Sequence, residues 1–268
     1  MAESTGTGGV TNESSEANAP LDDAEMPLAD HIEEMIKRLG VVLVAMALVS
    51  GVVFLVADDL INFIWYSLLP GSAQLCPDAP ADVAACPRVY DPLGLILARL
   101  KVSTLAGFVV ALPLFVYETY AFMRPGLYPR ERRYYIAAVP TSLVLAVVGV
   151  GFAFLVVLPV IFTYFLSYSE AAANIAFGLT ETFGLMTLLM GFFALVFQIP
   201  LFVMLAIMMG ITTRAWLANK RLYFWGTFIG IAFLFSPDPT GMAPIIVAAT
   251  MITLFEGTLL LLRWTGSD

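Results

Sequence analysis

FMRPGLYPRERRYY, residues Phe122 to Tyr135, sets four arginines and one glutamate between two long apolar runs. In a chain that crosses a bilayer repeatedly, the arginines of a short loop stay on the cytoplasmic side. The stretch therefore fixes which way the flanking helices run. It also places Glu131, a carboxylate among cations, on the cytoplasmic side, where it can meet a cationic partner.

The composition explains why the flanking runs are membrane spans. The chain has 268 residues, 60% of them hydrophobic, and a mean hydropathy of +0.87. That leaves too little polar surface to cover a soluble domain. The net charge of -8 is misleading, because residues 1–30 hold seven Asp and Glu and no Lys or Arg. Without them the remainder is close to neutral. Residues 1–26 read as a disordered acidic leader, and they lack the basic and apolar regions of a signal peptide. Residues 27–264 read as one transmembrane domain.

Apolar runs long enough to cross about 30 Å at 1.5 Å per residue give an all-α fold of six spans. They are Gly40 to Ala57, Leu100 to Met123, Tyr134 to Tyr164, Thr182 to Ile211, Leu222 to Phe235 and Ala243 to Leu262. With the N-terminus inside, ten of the thirteen Lys and Arg fall in cytoplasmic segments, leaving Arg88, Arg99 and Lys101 outside. Both termini are thus expected in the cytoplasm of a multi-pass protein of the cell membrane. The fifth span covers only roughly 21 Å. Pro113, Pro140, Pro159 and Pro200 should bend or end helices. In the outer segment after the first span, Trp65 and Tyr66 read as an interfacial anchor on a surface cap.

Several groups are candidates for chemistry or binding. Leu28, Ile32, Met35 or Ile36, and Leu39 recur at helical spacing, so Pro27 to Leu39 reads as a short amphipathic helix on the cytoplasmic surface. Its polar side carries His31, Glu33, Glu34, Lys37 and Arg38, where Glu34 with Arg38 is an ordinary i,i+4 pair. Inside the spans, Glu118, Gln198 and Glu256 each need a partner or a wet cavity. Glu118 suits either lipid headgroups or a functional role, Gln198 needs a hydrogen-bond partner from this chain or another, and Glu256 leaves both readings open. Cys76 and Cys86, outside, are a disulfide candidate that would constrain the unfolded loop by roughly 3 kcal/mol. Two thiolates without a nearby histidine are too few for a metal site. No phosphate-cradling loop, metal cluster or GxSxG is present, so neither an enzyme nor an ATP-driven pump is expected, and no cofactor and no nucleic-acid partner.

Three features together resemble one family. HIEEMIKRL (His31 to Leu39) is similar to the pattern HLxELRxRL, AFMRPGLYPRERR (Ala121 to Arg133) to an aromatic-x-F-x-x-P-x-L-Y-x-x-E-[RK] loop, and the order of six spans with a short fifth and sixth agrees. The family is TatC, the multi-spanning receptor of the twin-arginine protein translocase. The resemblance implies recognition of twin-arginine signal peptides by Glu34 and Glu131. It also implies single-span TatA-type and TatB-type partners docking on the later helices, a homo-oligomeric active complex in the lipid bilayer, and transport of folded proteins driven by the proton-motive force. Gln198 stands where the family often has glutamate, and Ile36 where it usually has arginine. Two other readings compete: a proton-coupled secondary transporter using Glu118, Gln198 and Glu256, and a structural membrane scaffold.

Overall fold

Hydrocarbon offers the backbone no hydrogen bonds, so a chain this apolar has to satisfy its own amides within helices. The computed structural model bears this out for residues 28–69, 86–124, 128–170, 177–235 and 241–265, the residues that the structure describes. They contain helices and one isolated β-bridge, Arg88 to Gly178. In chain order the helices are α1 Leu28–Phe54, α2 Ala57–Leu68, α3 Gly94–Met123, α4 Pro129–Phe152, α5 Leu158–Glu170, α6 Leu179–Val196, α7 Ile199–Met208, α8 Arg214–Asn219, α9 Arg221–Phe235 and α10 Met242–Thr265. Five stretches are long and apolar enough to cross a membrane: Ile32–Phe54, Gly94–Met123, Arg132–Tyr168, Leu179–Met208 and Met242–Trp264. The shorter α9, with 15 residues, covers about 22 Å. The acidic leader and Cys76 lie outside the described residues.

Two of the four prolines fall at helix irregularities. Pro200 has no amide hydrogen to give to residue 196, and the helix breaks at Phe197 and Gln198 before restarting as α7. Pro159 follows a π-helical turn, Ala153–Val157, that joins α4 to α5. Widening the ladder there accommodates the missing donor. Pro113 and Pro140 are absorbed inside α3 and α4.

Glycines set the closest crossings. A Cβ at Gly107 would lie 2.6 Å from the Met46 carbonyl oxygen and collide with Ser50 Oγ, so α1 and α3 meet backbone to backbone. Gly149 allows the same approach of α4 to α6, at the Phe193 carbonyl. Small residues are what permit helices to pack this tightly in lipid. From these crossings α3 packs on α1, α4 and α6, while α10 packs on α7 and α9. On the same side as α2, Lys101 Nζ donates to the Thr180 carbonyl at 2.8 Å and ties α3 to α6.

Two expectations are corrected. Pro27 to Leu39 is not a separate helix ahead of the first span, because α1 runs unbroken from Leu28 through Gly40 to Phe54. One glycine costs a helix interior only about 1 kcal/mol, and no proline or cap interrupts the ladder. Nor is Trp65 an interfacial anchor. It is 1% exposed, stacked on Phe183 at 5.9 Å with Phe177 edge-on at 6.4 Å. The stripe Ala57, Ile61, Ile64 and Trp65 makes α2 an inward-facing cap, and Asp58 pairs with Arg99 at the start of α3, with Nε to Oδ1 at 2.6 Å.

Candidate functional site: an ionic cluster where α1 begins and α3 ends

The continuity of α1 determines what its charged residues can reach. Held on a rigid helix that crosses α3 closely at Gly107, the first turns of α1 are carried against the last turns of α3. Arg38 Nη2 sits 2.6 Å from Glu34 Oε1, one turn back on its own helix. Its Nη1 donates to Glu118 Oε2 across the interface at 3.0 Å. One guanidinium is therefore shared between two carboxylates. Exposure falls inward through the cluster: the side chains of Glu34, Arg38 and Glu118 are 36%, 26% and 15% exposed. Arg38 Nε is buried without a hydrogen-bond partner among the described residues. Beside the cluster lies a cavity of about 340 Å³ lined by Met35, Arg38, Leu39, Phe115 and Glu118 among others.

The opening of α4 meets the same end of α3. Arg132 Nη2 donates to the Arg124 carbonyl at 3.0 Å, and the Tyr120 and Tyr135 rings lie 5.7 Å apart. Glu131 is the third residue of α4; its side chain lies outside what the structure describes. The backbone thus brings the helix that carries Glu131 and the helix that carries Glu34 to the same end of α3.

The remaining polar residues are each held separately. Gln198, 2% exposed, donates from Nε2 to the Ser142 and Ala194 carbonyls, both at 3.2 Å. Its Oε1, like Ser142 Oγ, is buried without a partner among the described residues. Glu256 Oε1 accepts from Trp225 Nε1 at 3.0 Å, between α9 and α10. Glu118, Gln198 and Glu256 thus bond to three different sets of neighbours. Cys86 carries a disulfide bond; Cys76, its expected partner, lies outside the described residues.

Arg38 is the residue whose importance the sequence did not reveal. Its i,i+4 pairing with Glu34 was legible, but its second partner lies 80 residues away. Only the register of α1 on α3 brings the two together.

These features define a polytopic helical membrane protein with a carboxylate and guanidinium cluster at one end of α3. The model of the family "Sec-independent protein translocase protein (TatC)" matches residues 30–249. Sec-independent protein translocase protein TatCo of Haloferax volcanii is 59% identical over 269 residues, which cover 93% of this chain and 59% of that protein. This chain therefore spans about three-fifths of that relative's length. The TatC protein of Methanocella arvoryzae is 33% identical over 249 residues, covering 93% of this chain and 98% of its own. The crystal structure of the twin-arginine translocase receptor TatC has the same fold, with a TM-score of 0.71 at 22% identity over 87% of this chain and 98% of that one. The chain belongs to the TatC family.

Proposed function

We propose that this chain is the receptor and assembly core of a twin-arginine translocase, binding the arginine pair of a signal peptide at Glu34 and Glu131. In this reading the ionic cluster faces the cytoplasm, α9 is a sixth and short crossing, and both termini lie on the cytoplasmic side of the cell membrane. Single-span TatA-type and TatB-type subunits dock on the later helices, where Phe233, Leu234 and Phe235 at the end of α9 are exposed. The chain has no catalysis of its own, and the proton-motive force supplies the work.

The observation that supports this best is Arg38 itself. Its guanidinium rests on Glu34 at 2.6 Å, so the carboxylate already stands in a geometry that receives an arginine. Guanidinium to carboxylate contacts are charge-assisted and directional, and they persist at any pH at which a cell works, whereas an ammonium cannot reproduce the fork. Glu131 opens a helix packed on the same α3, which gives a pair of arginines two separate receivers.

Export in cells supplies the test. Glu34→Ala and Glu131→Ala should each stop export of a folded reporter bearing a twin-arginine signal, while the protein still accumulates in the membrane. Normal export by both variants would refute the assignment.

A further inference from the structure

We propose that Glu118 is a positioning residue of the signal-binding site: it retains Arg38 when an incoming guanidinium takes Arg38's place on Glu34. The proposal rests on the reading of Glu34 as a signal-peptide receiver and adds a third carboxylate to it.

In the structure Glu34 is not vacant. Its Oε1 is engaged by Arg38 Nη2 at 2.6 Å, so a ligand arginine has to displace an arginine already there. Displacement carries a difficulty of its own. Arg38 is only 26% exposed, and a partly buried guanidinium stripped of its carboxylate is strongly unfavourable, because its desolvation is no longer offset. Without a second partner, Arg38 would hold Glu34 against the ligand.

Glu118 resolves this. It already binds Arg38 Nη1 at 3.0 Å and is the most buried of the three groups. When Nη2 leaves Glu34, the two terminal nitrogens of Arg38 can close a two-bond fork on the two oxygens of Glu118, the strongest arrangement available to this pair. Arg38 makes two contacts before the exchange and two after it, and Glu34 trades one guanidinium for another. The cavity of about 340 Å³ whose wall includes Arg38, Glu118, Leu39 and Phe115 gives the side chain room to swing. Charge balance fits as well. Two carboxylates and one guanidinium leave a net negative charge, which one ligand arginine neutralises. In a Glu118→Gln variant, Arg38 and Glu34 alone would be neutral together, and that attraction would be lost.

The alternative is that Arg38 and Glu118 merely fasten α1 to α3. Peptide binding across a mutant cycle separates the two. A fluorescent peptide carrying a twin-arginine signal would be titrated into the purified full-length protein in lipid nanodiscs, for wild type, Glu34→Gln, Arg38→Gln, Glu118→Gln and the double variant Arg38→Gln with Glu118→Gln. Glu118→Gln is expected to weaken binding at least about tenfold. Arg38→Gln should bind as tightly as wild type or tighter, and the double variant should bind like Arg38→Gln, because no cis arginine then competes. Wild-type affinity in Glu118→Gln would overturn the proposal, and so would a double variant as weak as Glu118→Gln. If Glu34→Gln weakens binding while Glu118→Gln does not, only the role of Glu118 falls. If Glu34→Gln itself leaves binding intact, the receptor reading falls with it.

Discussion

The crossing of α1 on α3 at Gly107 makes the sharpest mechanical prediction. An alanine Cβ there would sit 2.6 Å from the Met46 carbonyl oxygen, where ordinary contacts begin at 3.4 Å. The backbone of α1 therefore has to retreat by the difference, about 0.8 Å, since a main-chain oxygen inside a helix cannot swing aside as a side chain can. Overpacking of this kind costs about 1–3 kcal/mol. No other helix packs on α1 as extensively as α3 does, so little else restores the fit. Gly51 is the matched control. It lies on α1, the other helix of the crossing, and a methyl group there would meet nothing within 4 Å, so alanine should stabilise the helix by about 1 kcal/mol. The assay is the temperature at which the detergent-solubilised protein loses its monodisperse elution. Gly107→Ala should fall several degrees below wild type and Gly51→Ala should not. Equal midpoints for the two variants would refute the close crossing, and with it the register that brings Arg38 to Glu118.

Trp65→Ala should destabilise the detergent-solubilised protein by about 3–5 kcal/mol, as a buried ring stacked on Phe183 requires; a loss below about 1 kcal/mol, as for a surface residue, would return Trp65 to the role of a lipid anchor. Gln198→Leu removes two hydrogen bonds and should cost about 1 kcal/mol. Because Gln198 is 2% exposed and bonded within the chain, the change is expected to leave both peptide binding and co-purification of a single-span subunit intact, and lost co-purification would instead place Gln198 at a docking surface. Alkylation of the unreduced protein should leave Cys86 unmodified, whereas a mass shift at Cys86 would show a free thiol.

What the sequence disclosed follows from where the controlling physics is local. Apolar run length decides which segments become helices in lipid, and Pro200 marks the break between α6 and α7 because its missing donor acts within one turn. Trp65 shows the limit. A tryptophan beside a tyrosine after an apolar run has the composition of an interfacial belt, and its true neighbour, Phe183, is more than a hundred residues away. The amphipathic stretch before Gly40 misled for the opposite reason. Its change from mixed to wholly apolar suggested two helices, while the backbone, with nothing to break it, continues as one. Charge alone does not specify helix register, so the sequence does not separate headgroups from a functional partner for Glu118. Gln198 needed a partner from somewhere, and the carbonyls of Ser142 and Ala194 supply it.

The central claim is that Glu34 and Glu131 together receive a pair of arginines. It is tested most directly by site-specific crosslinking from photoreactive groups placed at Met35 and Arg130 to a twin-arginine signal peptide and to its twin-lysine counterpart. Strong crosslinks to the twin-arginine peptide alone, lost when Glu34 and Glu131 are both changed to Gln, are the predicted result. Equal crosslinks to both peptides, or crosslinks that survive the loss of both carboxylates, would contradict it.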